Sequence, residues 1–145
     1  ENNLCVIASS KWLLIDTLNG KIAKIEKEMG DKYESEPDKS VFGEKDIEKL
    51  KVPNSFESSI KYKTKRKDID VIGHVHNLYY LDLAYEALPE EVYNQRPFDN
   101  IRIMYKKEIK YGEIVICKYS KEQNKNVVVI ESENGEILHA IVELF

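Results

Sequence analysis

Two cysteines in 145 residues are too few to staple a domain together, because disulfide scaffolds are shorter and much richer in cysteine. Cys5 and Cys117 both fall in strand-like runs and neither has metal-knuckle spacing, so they read as buried thiols in a reducing cytoplasm. Long apolar runs are also missing. The longest, residues 5–8 and 127–130, fall far short of the ~20 residues that cross a bilayer, so no membrane span is expected. No basic, cleavable leader precedes the first apolar run, and the chain opens on Glu1 rather than Met, which suggests sequence upstream. An excess of positive charge is absent too. Lys and Arg number 22 against 26 Asp and Glu, a net charge of -4, whereas nucleic-acid binders gain affinity by neutralising phosphates. What is present is 42% hydrophobic and 33% charged residues, the balance of a folded domain rather than a disordered tail. A chain of this size buries about 70% of the surface it exposes when unfolded.

Residues 4–18 are apolar and β-rich and are followed by Asn19-Gly20. Both residues of that pair accept positive φ, so a tight hairpin is predicted, with residues 21–26 returning. Residues 30–59 turn polar, with Pro37, Gly43 and Pro53, and read as a linker in which residues 44–50 form a short helix. From Ile60 the pattern becomes regular. Residues 60–70 are strand-like and lead to Gly73. Asn77 is placed to N-cap a helix over residues 78–88, with Asp82 toward its positive end and Pro89 closing it. Leu78, Leu81, Tyr85 and Leu88 form one apolar stripe of that helix, and Tyr80, Ala84 and Ala87 a second, so a sheet should wrap it. Strands follow over residues 101–106, 114–119, 127–132 and 137–145. A turn lies at residues 111–113 and a second Asn-Gly at Asn134-Gly135. In the last strand Leu138, Ala140, Val142 and Leu144 share one face. The class is α+β, one central helix against an antiparallel sheet. A weak repeat relates residues 1–8 to 133–140, and by itself decides nothing.

Reactive side chains are densest in Asp68-Ile69-Asp70-Val71-Ile72-Gly73-His74-Val75-His76-Asn77, between a strand and the helix start. Helix N-termini present unpaired amides suited to a developing oxyanion, and a carboxylate with an imidazole there orients water and moves protons. Other uses of these residues stay open. Two histidines at i and i+2 suit a strand face or a metal pair, but zinc needs further ligands. Beyond His139 those would have to be carboxylates. Asp70 and Asn77 also serve ordinary turns and caps.

The run Asp68 to Pro89, DIDVIGHVHNLYYLDLAYEALP, resembles the catalytic stretch of acyl-acyl carrier protein (acyl-ACP) thioesterases, with its aspartate, histidine-valine and asparagine ahead of a buried helix. Tyr105-Lys106-Lys107-Glu108 is similar to the family's tyrosine, two basic residues and glutamate. Residues 8–16, centred on Trp12, resemble its Trp-centred strand. The resemblance implies a tandem hotdog fold. Residues 1–29 would be closing strands of an incomplete N-terminal hotdog, 30–56 a polar linker, and 57–145 the catalytic C-terminal hotdog.

It further implies hydrolysis of fatty acyl-ACP in fatty acid biosynthesis. Asp70, His74 and Glu108 would be catalytic and His76 and Asn77 supporting, with neither cofactor nor metal. The partners implied are acyl carrier protein and, through hotdog sheets, a homodimer or pseudo-dimer. Two departures stand out. Ile72 occupies the family's asparagine position, and Ile109 the position where some members carry cysteine. Glu108 shares a polar strand face with Arg102 and Lys106 by strict alternation, so a bulge or sheet edge must aim it at His74. The basic run Lys61, Lys63, Lys65, Arg66 and Lys67 reads first as a solvated strand face and second as a dock for an acidic carrier protein. Two alternative readings are an acyl-CoA thioesterase and a non-catalytic acyl-binding module.

Overall fold

Val and Ile crowd residues 114–144, and side chains stiff at χ1 favour strands. In the computed structural model, which describes residues 5–33 and 47–145, the chain divides into two compact units, Glu1–Glu48 and Lys49–Phe145. In the first, β1 (Leu14–Ile15) pairs antiparallel with β2 (Ile22–Ala23), and α1 (Lys27–Lys32) follows. The strand expected over residues 4–18 is therefore much shorter. Asn19-Gly20 lies within a longer connection rather than forming a two-residue turn. The Asp16 carboxylate shapes that connection by accepting from the Leu18 amide and the Asn19 side chain, the usual local competition of Asp with the strand ladder. Cys5 is exposed rather than buried.

The second unit is a hotdog: a five-stranded antiparallel sheet closed around one helix. Its strands are β3 (Ser58–Lys63), β4 (Ile101–Tyr105), β5 (Ile114–Glu122), β6 (Lys125–Ser132) and β7 (Leu138–Leu144), in spatial order β3-β5-β6-β7-β4. The central helix is α2 (Asn77–Glu86), with a short α3 (Glu90–Tyr93) after it. Tyr80, Leu83 and Ala84 of α2 pack against Cys117, Ile130, Ala140 and Val142 of the sheet. The stripe carrying Tyr80 and Ala84 is thus the buried one, and Leu78 of the other stripe is 69% exposed. Leu50 joins Val127, Val129 and Ile141 on the opposite face, with Phe56 against them. That part of the expected linker covers the sheet.

Several boundaries differ from the sequence reading. The strand expected over residues 60–70 stops at Lys63, and a 3-10 turn takes Arg66–Asp68. His76 rather than Asn77 is the N-cap, and the helix ends at Glu86, with no acidic residue in its first turn. Asp82 therefore lies too far along to meet the helix dipole. Residues 47–50 are not helical; the remainder of that expected helix, and residues 1–4 of the repeat, lie outside the described residues. On β7, Leu138 parts from Ala140 and Val142 and packs with Val127 and Ile141 instead. The cause is a bulge: Ile130 pairs with Ala140, but Glu131 pairs with Leu138, leaving His139 as the extra residue.

Candidate active site

Asp70 and His74 close a tight loop on each other. The Asp70 amide donates to the His74 carbonyl (2.8 Å), and Asp70 Oδ1 accepts from the amides of Ile72 (2.8 Å) and His74 (3.2 Å). Gly73 has φ +89, a left-handed conformation that glycine adopts without a Cβ penalty. Beyond the loop the chain doubles back between two neighbours. Val75 bridges Ile69, and His74 bridges Lys110. The Val75 amide donates to the Ile109 carbonyl (2.8 Å), and that of His76 to the Asp68 carbonyl (2.9 Å). Asp68 itself is buried, its Oδ2 accepting from the Tyr62 hydroxyl and the Lys65 amide, both at 2.7 Å. It anchors the loop.

The pairing of residues 74–75 with 109–110 brings Glu108 within electrostatic reach of His74, although the two are far apart in sequence. β4 ends at Tyr105, and the next two amides, Lys106 and Lys107, converge on the single carbonyl of His139 at 2.8 and 3.3 Å. The chain therefore leaves the sheet instead of continuing along β7. The structure thus brings together Asp70, His74 and Glu108, the last delivered at a sheet edge.

Charge at this cluster follows from its contacts. Slight burial pushes the Asp70 carboxyl up. The amides of His74, Ile72 and Gly73 and the charge of His74 outweigh it and hold the group below its ordinary 3.8. Glu108 is held below its ordinary 4.5, first by its own backbone N–H and then by the Lys107 ammonium at 3.1 Å, with the charge of His74 adding. A carboxyl lowered on folding stabilises the fold above the ordinary carboxylate range, and that contribution is lost as pH falls through the folded value. Glu108 is therefore a carboxylate at neutral pH, able to take a proton and not to give one. A carbon-detected NMR titration should place the Asp70 midpoint below 3.8 and that of Glu108 below 4.5; a Glu108 midpoint moved up toward neutrality would reverse its role.

The helix start offers less than its sequence promised. Amides 72 to 76 all have protein acceptors. His76 accepts the Leu78 amide through Nδ1 (3.2 Å) and the Tyr79 amide through its carbonyl (2.9 Å). Asn77 N–H is left as the amide there without an acceptor among the described residues. His76 thus acts as the capping residue, with Nδ1 as the acceptor. Asn77 opens the helix and takes the Tyr105 hydroxyl on its carbonyl at 3.1 Å. Ile72 is 76% exposed at the loop tip and contributes its amide, not its side chain.

The basic run does not form one face. Lys61 pairs with Glu133, Lys67 lies 3.8 Å from Asp68, and Arg66 stacks over Tyr111 at 5.6 Å. Lys65 lies over Tyr62 at 5.7 Å, and Lys63 has no acidic partner among the described residues. Among those residues no group of three or more His, Cys, Asp or Glu could hold a metal. No helix there is long and apolar enough to cross a membrane. Burial pushes the Cys117 thiol up to about 12, which keeps it protonated and inert. The sequence reading gave no site role to Tyr80 and weighed His139 only as a possible zinc ligand. Both look like core or strand residues in one dimension, and the sole advance signal was a histidine inside a mostly apolar strand.

Residues 51–145 match the family described as the acyl-ACP thioesterase C-terminal domain. The chain is 25% identical over 131 residues to the chloroplastic oleoyl-acyl carrier protein thioesterase of Coriandrum sativum, covering 84% of this chain and 35% of that protein. It superposes on the 12:0-ACP thioesterase of Umbellularia californica with a TM-score of 0.68 at 14% identity, over 90% of this chain and 50% of the other. An acyl-ACP thioesterase of Bacteroides thetaiotaomicron gives a TM-score of 0.59 at 17% identity, over 90% and 52%. The chain spans about a third of the length of the curated relatives it matches and about half that of the solved structures.

Proposed function

This chain belongs to the acyl-ACP thioesterase family, and from that membership we propose that it hydrolyses the thioester of a fatty acyl group carried on acyl carrier protein, as a step in fatty acid biosynthesis. The observation that carries the reading is the convergence of Asp70, His74 and Glu108 beside the start of α2. Glu108, a carboxylate at neutral pH, takes a proton from water as that water attacks the thioester carbonyl. Asp70 and His74 orient the water and the carbonyl. Asn77 N–H faces the charge that develops on the carbonyl oxygen, with the helix dipole behind it. The tetrahedral intermediate collapses with cleavage of the carbon–sulfur bond, and the proton held at the site goes to the departing phosphopantetheine thiolate. No cofactor enters this sequence. Cys117 is buried and protonated and Ile109 has no nucleophile, so neither position supplies a thiolate in place of water.

Residues 1–29 read as closing strands of another hotdog and 30–56 as the connection, with 57–145 carrying the catalysis. Pairing of hotdog sheets into a dimer or pseudo-dimer fits the same reading. For the carrier, Lys63, Lys65 and Arg66 are the members of the basic run without an acidic side-chain partner among the described residues, and the two lysines suit an acidic carrier protein by electrostatic steering. The full chain is expected to release free acid from acyl-ACP faster than from acyl-CoA. Lys63→Glu with Lys65→Glu should raise KM for acyl-ACP by about tenfold or more, since charge reversal at a docking rim acts on encounter, while KM for a small thioester stays put. Equal changes for both substrates would remove the docking role, and faster turnover of acyl-CoA would move the protein to the acyl-CoA reading. Binding of acyl-ACP without any hydrolysis would leave an acyl-binding module.

A further inference from the structure

Glu108 sits between two peptide units, and each is pinned by a buried side chain from elsewhere in the fold. The carbonyl of Lys107 lies 3.0 Å from His139 Nδ1, and the amide of Ile109 donates to the Tyr80 hydroxyl at 3.2 Å. Both His139 and Tyr80 are 3% exposed. A carbonyl accepts only, so His139 Nδ1 carries the proton and donates it.

A peptide unit is planar and trans. Fixing the Lys107 carbonyl therefore fixes the opposed direction of the Glu108 N–H in the same unit. That N–H is the foremost group holding the Glu108 carboxyl low, so the ring of His139 governs the amide that positions the carboxylate. His139 is also the bulged residue of β7, and its own carbonyl takes the Lys106 and Lys107 amides. A bulge bends its strand and redirects neighbouring groups at some cost to the ladder. Here it falls where β4 leaves the sheet to carry Glu108 toward His74.

We infer that His139 is a positioning residue for Glu108: its bulged backbone turns the chain out of the sheet and its Nδ1–H orients the peptide that aims the carboxylate. The inference rests on Glu108 being the base of the proposed hydrolysis. Tyr80 holds the following peptide from the helix side, so the base is clamped from both the sheet and α2.

The test compares His139→Leu, which fills the space without a donor, with His139→Asn, whose side-chain amide can stand in for Nδ1–H. In the full chain His139→Leu should lower kcat for the acyl thioester on the order of 10²-fold, the cost of misplacing a reacting group by about 1 Å. Its KM should hold within about twofold, since substrate binding is untouched. His139→Asn should recover most of the lost kcat. Independently of activity, the Glu108 midpoint read by NMR should rise in His139→Leu and return in His139→Asn. Should His139→Leu fail to fold, His139→Gln replaces it, because its donor reaches the Nε2 position and not Nδ1. Unchanged kcat and an unchanged Glu108 midpoint in the donor-less variant would overturn the clamp, as would His139→Asn behaving no better than His139→Leu. A wild-type chain inactive on every thioester, with the midpoint shifts still seen, would sink the hydrolysis and leave the positioning intact.

Discussion

Glu108→Gln in the full chain is expected to lower kcat for acyl thioester hydrolysis by about 10²–10⁴-fold, the usual contribution of a positioned general base. Glutamine keeps the length and packing of the side chain and loses the ability to take a proton. Glu108 is partly exposed and its pair with Lys107 is a surface one, worth little to stability, so the unfolding midpoint should barely move. The companion change is Asp70→Asn. Asparagine Oδ1 can still accept the Ile72 and His74 amides that Asp70 Oδ1 accepts now, so the loop holds while the charge is lost. A fall in kcat with an intact fold then reports a chemical role for the Asp70 charge. Both variants would be assayed on one acyl-ACP alongside thermal unfolding, and wild-type rates in either would remove that residue from the catalytic group.

A second large effect is expected in the core. Ile130 is fully buried on β6, the central strand, on the face that meets α2. Its cross-strand partners are Cys117 and Ala140, both small and both locked in the ladder, so neither can swing into space vacated beside it. Ile130→Ala should therefore cost about 2–5 kcal/mol, toward the upper end of the range for emptied core sites. Ile101→Ala, at a position 41% exposed, should cost clearly less. Amide exchange of the β5–β7 ladder under urea reads this second unit by itself. A loss below about 1 kcal/mol would mean that the neighbours collapse into the space after all.

How much of this could be read in one dimension depends on the range of the forces involved. The helix, its buried character and the four strands after it are written as local periodicity, and local periodicity survives in any surroundings that hide one face. The stripe that α2 buries was harder to choose. Both stripes are apolar, and the sheet accepts the one with small Ala84 because the backbones approach closely there. His76 is the cap in place of Asn77 because its Nδ1 accepts the Leu78 amide. The short β1 could not be foreseen either, since apolar content alone does not say where an Asp16 carboxylate will take over amides from a ladder.

The sequence by itself determined the class of fold, the short run holding Asp70 and His74, and the separate Glu108 in its tyrosine-and-lysine setting. It also bounded what two cysteines could do, since neither disulfide framework nor metal knuckle fits them. Only the tertiary structure decided that Glu108 comes within electrostatic reach of His74. That approach needs residues 74–75 to pair with 109–110, and it needs a bulge at His139 to turn the chain out of the sheet. It also decided which amide at the helix start lacks an acceptor among the described residues, and that Cys117 is sealed in the core while Cys5 is not. Periodicity records what each residue prefers beside its neighbours in the chain. Which distant peptide takes a given hydrogen bond is settled when the sheet closes on the helix.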